Sequence, residues 1–217
     1  MRLFLIRHGQ TSSNEIGALD TATPGAPLTE LGHEQAAALP AALAGQNIDA
    51  IVVSTLTRTQ QTAAPLAAAL GLEPSIRAGI REIEAGDFEM KNDRASVMGY
   101  LAAFGSWAEG DFAVRIPGGE SGEEAFARFD EVVREFATVE TLAIVSHGAM
   151  IRYWVARAST NIDAAFVGEN PLSNTAVVTL EGSPDTEWVV TDWTGLPIGG
   201  AAVTDLAGDG PAADVVA

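Results

Sequence analysis

The sequence predicts an α/β protein, with helices packed around a mostly parallel central sheet. Three stretches carry this expectation. Leu3–Ile6, Ile48–Val53 and Thr141–Val145 are short apolar runs, and each is followed by a polar turn and then a helical or loop segment. Short buried strands alternating with amphipathic helices are the pattern of βα units. In sheets of this kind ligands bind beyond the carboxyl ends of the strands. All three runs release polar residues at that edge: Arg7, His8 and Gly9 after the first, Ser54 to Arg58 after the second, and Ser146, His147 and Gly148 after the third.

The remaining elements follow in order. Thr29–Leu43 reads as a helix with a threonine cap, and Pro40 is expected to kink it or end it early. TAAPLAAAL after Arg58 and AMIRYWVARAS after Gly148 are helical. A further helix is expected near Arg94–Trp107. Ser121–Phe136 opens with Ser-x-x-Glu, a capping box from Ser121 to Glu124, and its apolar positions 125, 126, 129, 132, 133 and 136 share one helical face. Asn174–Leu180 and Glu187–Thr191 read as strands joined by the turn-rich EGSPDT. One domain over 1–195 accounts for these elements, with about 85–120 as an insert or lid over the site. Residues 196–217, rich in Gly, Ala, Pro and Asp, read as a flexible tail.

Composition limits the function classes. A chain of 217 residues with 47% hydrophobic content can bury a large core. The absence of cysteine removes disulfides, thiolate metal sites and thiol nucleophiles. No stretch has the length of a signal peptide core or a membrane span, so a cytoplasmic address is expected. Twelve basic against 29 acidic side chains give a formal charge of −17, which disfavours nucleic-acid and anionic-membrane partners. Any anion site must therefore be a local concentration of cations.

His8 and His147 each follow a strand and precede a glycine, which permits a tight turn and close approach of a ligand to the backbone. If their strands are neighbours, two imidazoles meet Arg7, and Arg58 brings a second guanidinium. Two arginines and two histidines suit a tetrahedral oxyanion, because guanidinium forks bind phosphate oxygens in pairs and imidazoles donate or attack. A single histidine at a strand end is ordinarily structural; the repetition gives these two their meaning. His33, inside a helical segment, is assigned no role. No HxH, HExxH or Asp-rich cluster suggests a metal, and dinucleotide and Walker fingerprints are absent, so no metal or cofactor is expected. A carboxyl near the pocket would protonate a leaving alcohol, but composition does not separate Glu82 from Glu84 or Glu89.

Six motifs occur in order: RHGQTxxN at 7–14, PLTELGxxQA at 27–36, SxLxRTxQT at 54–62, REIEAGDFE at 81–89, PGGES at 117–121 and SHG at 146–148. Together they resemble the histidine phosphatase superfamily, in the branch that holds phosphatases and cofactor-dependent phosphoglycerate mutases. The resemblance covers about three quarters of the chain and implies a three-layer α/β/α sandwich of the phosphoglycerate mutase-like type. It implies His8 as nucleophile, carrying a phosphohistidine. Arg7, Arg58, Asn14, His147 and Gly148 would hold the phosphoryl group, and Glu82 would be the acid and later the base.

The sequence departs from the mutases in the loop from Gln10 to Ala26, which has no basic residue. The insert likewise lacks their adjacent arginines and offers only Lys91, Arg94 and Arg115. Met90 stands where many relatives have glycine. The expectation is therefore a metal-independent hydrolase, a histidine acid phosphatase-type phosphomonoesterase acting on a small phosphorylated metabolite. A phosphoglycerate mutase-type transferase and a non-catalytic phospholigand-binding scaffold are the alternatives. A homodimer stays open, and the natural substrate is not legible.

Overall fold

The computed structural model describes residues 1–205 and 210. The strands are β1 (Arg2–Arg7), β2 (Ala50–Val53), β3 (Ser75–Ile76), β4 (Thr141–Ser146), β5 (Val177–Glu181) and β6 (Val189–Trp193). The helices are α1 (Ser12–Glu15), α2 (Glu30–Ala42), α3 (Thr57–Leu70), α4 (Arg94–Ala108), α5 (Gly122–Glu135), α6 (Gly148–Ala158) and α7 (Ala164–Glu169). One sheet forms in the order β3-β2-β4-β1-β5-β6. The pairings β2/β3, β2/β4 and β4/β1 are parallel, whereas β5 runs antiparallel to both β1 and β6.

Alternation along the central strands sorts side chains into two cores. Leu3 and Leu5 of β1, with Leu142 and Ile144 of β4, join Tyr100, Trp107, Phe129 and Trp154 from α4, α5 and α6. Phe4 and Ile6, with Ala143 and Val145, face Leu39 of α2 and Ala63 and Leu66 of α3 on the opposite side. A strand places successive side chains on opposite faces, so a sheet apolar on both must be covered twice. The result is the three-layer α/β/α sandwich. The Trp154 ring is fully buried, and truncating it to alanine would cost about 3–5 kcal/mol.

Several element ends differ from the sequence reading. Pro40 does not end α2 early: the helix runs on to Ala42, although the proline has no N–H to offer the Ala36 carbonyl. The strands expected at Asn174–Leu180 and Glu187–Thr191 begin later, at Val177 and Val189. Asn174 and Thr175 instead fold back on β1: Thr175 takes φ 57°, and its N–H donates to the Arg7 carbonyl. The capping box at Ser121 and Glu124 is present.

The first part of the expected flexible tail is packed. Val203 is buried, its carbonyl accepts from Gln35 Nε2 at 2.9 Å, and Asp205 accepts from Gln10 Nε2 at 3.0 Å. A small apolar residue and two side-chain amides are enough to hold 203–205 against α2 and the loop after β1. The part of that expectation falling on 206–209 and 211–217 lies outside the described residues.

The 85–120 excursion holds α4 and, before it, a 3-10 turn at Gly86–Phe88. Its Tyr100, Phe104 and Trp107 stack along α4, and Trp107 meets Tyr153 of α6 with ring centroids 4.8 Å apart. Glu89 ties it to the loop before α2 by accepting from the Thr21 and Ala22 N–H groups at 2.9 and 3.0 Å. No helix among the described residues is long and apolar enough to cross a membrane.

Candidate active site

The pairing of β1 with β4 sets Arg7 opposite Ser146, so His8 and His147 leave the sheet side by side. Their ring centroids are 5.3 Å apart. A pocket at this edge is lined by Arg7, His8, Asn14, Arg58 and Glu82, together with Thr11, Ser13, Asp20 and Tyr100. His147 lies fully buried behind His8, and Gly148, the first residue of α6, does not line the pocket. The structure thus brings together five of the expected site residues at the pocket wall and sets the His147 ring beside that of His8.

His8 Nδ1 donates to the carbonyl of Gly9 at 2.7 Å, which leaves the lone pair on Nε2. Burial, then the charges of Arg58 and Arg7, hold its pKa well below the ordinary imidazole range. Gly9 permits this geometry by packing: a Cβ there would stand 2.7 Å from the Gly32 carbonyl oxygen, and one on Gly32 would stand 2.2 Å from that of Gln10. The loop after β1 and the start of α2 therefore touch backbone to backbone. Gly9 N–H also donates to Thr62 Oγ1 at 2.9 Å.

Arg7 Nη1 donates to the Leu172 carbonyl at 2.8 Å. Arg58, buried at the start of α3, donates from Nη2 to the Asp20 carbonyl at 2.8 Å, and its Nη1 lies 3.7 Å from the Asp20 carboxylate. Its Nε and Nη1 make no hydrogen bond among the described residues. Asp20 is itself fixed, accepting from Ser13 Oγ and Ala26 N–H, each at 2.8 Å. Asn14 has its amide oriented by Thr11: Oδ1 accepts the Thr11 N–H at 3.0 Å, so Nδ2 is turned away from that turn.

His147 occupies the N-cap position of α6 without a side-chain cap bond, and its Nε2 is hydrogen-bonded to Ser54 Oγ at 2.9 Å, while Ser54 Oγ is also hydrogen-bonded to Thr59 Oγ1 at 2.9 Å. Nδ1 of His147 has no partner among the described residues. Burial, then Arg58 and His8, push its pKa well below the ordinary range. Glu82 accepts from Ile83 N–H and Met150 N–H at 2.9 Å and from Ala149 N–H at 3.2 Å, so its carboxyl sits at the N-terminus of α6. Burial raises its pKa, against the pull of these N–H groups and of Arg58.

The structure separates the three glutamates that composition left equal. Glu82 is buried in the pocket, Glu84 is spent on Arg81 at 2.6 Å, and Glu89 anchors the loop at Thr21. His33 is exposed. Sequence reasoning missed Asp20, Ser54, Tyr100 and Asn174, whose Nδ2 donates to the His8 carbonyl at 2.8 Å. Ser54 alone carried a signal, as the first residue of the motif that contains Arg58; the others reach the site only through tertiary packing. Among the described residues no cluster of three or more His, Asp or Glu side chains is placed to hold a metal ion.

Comparison with known proteins agrees with this architecture. Residues 3–194 match the model of the histidine phosphatase superfamily (branch 1). The chain is 34% identical to PE-PGRS family protein PE_PGRS11 of Mycobacterium tuberculosis across 91% of its own length, though it spans only 37% of that protein. It is 33% identical to the adenosylcobalamin/alpha-ribazole phosphatase of Escherichia coli, covering 72% of this chain and 78% of the relative. A mycobacterial glucosyl-3-phosphoglycerate phosphatase solved with VO3 superposes with a TM-score of 0.75 at 28% identity, over 89% of this chain and 98% of the other. The chain belongs to branch 1 of the histidine phosphatase superfamily.

Proposed function

We propose that the protein hydrolyses phosphomonoesters of small metabolites through a phosphohistidine on His8, without a metal ion. One observation carries this reading: the neutral His8 imidazole, with Nε2 released by the Nδ1 bond to Gly9, shares its pocket with two guanidiniums and the raised carboxyl of Glu82. The Nε2 lone pair attacks phosphorus, the P–O bond to the alcohol breaks, and the departing oxygen takes the Glu82 proton. Arg7, Arg58, Asn14 and His147 offset the charge on the equatorial oxygens. In the second half, the Glu82 carboxylate takes a proton from water, the water oxygen attacks phosphorus, and the P–N bond breaks. His8 recovers its lone pair, Glu82 its proton, and inorganic phosphate leaves.

Gly148, the first residue of α6, does not line the pocket, so no contact with the phosphoryl group is assigned to it. Hydrolysis of para-nitrophenyl phosphate tests the proposal. Turnover that persists in excess chelator and disappears in His8→Ala is expected. Full activity in His8→Ala, or loss of activity on chelation that added divalent metal restores, would overturn it.

A further inference from the structure

The positive charge of this pocket is limited to what one phosphoryl group uses. Among the described residues its cations are Arg7 and Arg58, and Arg58 is partly offset by the Asp20 carboxylate at 3.7 Å. Beyond His8, Asn14 and Glu82, the rest of the lining is Thr11, Ser13, Ala18, Leu19, Asp20, Thr21 and Tyr100, whose one charge is the Asp20 carboxylate. The cations near the insert are engaged elsewhere. Arg81 pairs with Glu84 and Arg115 with Glu124. Arg128 binds both oxygens of Glu120 at 2.6 and 2.8 Å and the carbonyls of Gly79, Arg81 and Glu82. Lys91 lies 5.7 Å over the Phe88 ring, and both it and Arg94 are exposed and outside the pocket lining.

We infer, resting on the phosphatase reading above, that the substrate is the phosphate ester of an alcohol that carries no negative charge of its own. A second anionic group would be desolvated against Leu19, Ala18 and Tyr100, close to Asp20 and, among the described lining residues, with no cation beyond the two that hold the phosphoryl group. Placing a charge without a partner is the strongest form of rejection a pocket can apply. Neutral polyol and heterocyclic alcohols, and cationic ones, meet no such penalty.

A matched pair isolates the effect. sn-Glycerol 1-phosphate and D-3-phosphoglycerate share their configuration at C2 and differ by a hydroxymethyl in place of a carboxylate. Each is measured as substrate, and as competitor of para-nitrophenyl phosphate so that binding is read even where turnover is slow. The glycerol ester should be favoured by at least about tenfold in kcat/KM or in competition, a difference of about 1.4 kcal/mol. Leu19→Lys, which puts an ammonium into that lining, should narrow the gap. Because Leu19 is buried, the wild-type ratio decides if that variant does not fold. Equal values, or preference for 3-phosphoglycerate, would overturn the inference and leave the phosphatase reading standing. Failure to hydrolyse para-nitrophenyl phosphate would overturn both.

Discussion

His8 and His147 stand 5.3 Å apart, ring centroid to ring centroid, at the ends of adjacent parallel strands, and both are buried beside two arginines. Two imidazolium ions cannot share that position, because each would face the other's charge and the charges of Arg7 and Arg58 without solvent. The environment keeps both rings neutral. In the proposed mechanism the neutral His8 attacks phosphorus and the neutral His147 donates to its oxygens.

This sets the pH dependence. His8 must be neutral to attack, and its folded-state pKa is lowered well below the ordinary value of about 6.5. Protonation therefore begins only well under pH 6.5, and the acid limb of kcat/KM lies there. Glu82 must be protonated to donate, and its pKa is raised above the ordinary carboxylate value of about 4.3, so the alkaline limb lies above that value. Because kcat/KM reports the free enzyme, a profile for an alkyl phosphate, corrected for the substrate's own ionisation, shows both limbs. An acid limb at or above pH 6.5 would contradict the account of His8.

Glu82→Gln separates proton donation from phosphate binding. Alkyl esters, whose alkoxides leave only when protonated, should slow by about 10²–10⁴-fold. Aryl esters with acidic phenols should slow much less, and the alkaline limb should disappear. An equal loss for both classes would show that Glu82 acts only through the packing of α6.

Arg58 presents Nε and Nη1 without hydrogen-bond partners among the described residues, buried in the pocket wall. Arg58→Lys keeps the charge but removes the fork, and lysine is a poor substitute at a paired-donor site. Inhibition by orthovanadate should weaken by at least about tenfold, and kcat should fall by about 10²-fold. Unchanged inhibition would place the phosphoryl group away from Arg58.

Two backbone positions should respond with opposite signs. Met90 has φ 60°, a conformation that glycine adopts freely, and its side chain is exposed. Met90→Gly should raise Tm by about 1–4 °C, reflecting roughly 0.5–1 kcal/mol. Gly32→Ala places a Cβ 2.2 Å from the Gln10 carbonyl oxygen, where only backbone can yield. It should cost about 1–3 kcal/mol and lower kcat by displacing the loop that carries His8. Thermal denaturation with parallel kinetics checks both.

Much of this site was legible in the sequence, for a definable reason. Arg7, His8 and His147 follow apolar runs directly, so strand pairing alone brings them together. Arg58 lies within one turn of a third strand end. Glu82 belongs to a segment with no periodic signal. It was separated from Glu84 and Glu89 by the resemblance first, and then by which one reaches the N–H groups of α6. Asp20 and Tyr100 arrive from a loop and from the insert, through contacts that no local pattern encodes. The same limit applies to residues 203–205, whose composition reads as loose chain but which Gln35 and Gln10 hold in place.

The most direct measurement is of the intermediate itself. The enzyme is mixed with 32P-labelled phosphomonoester, quenched in alkali within milliseconds, and digested for peptide mapping. The account predicts an alkali-stable, acid-labile phosphoryl group on the peptide containing His8, absent in His8→Ala, that decays no more slowly than steady-state turnover. Label on any other residue, or turnover with no labelled enzyme at any quench time and full activity in His8→Ala, would contradict it.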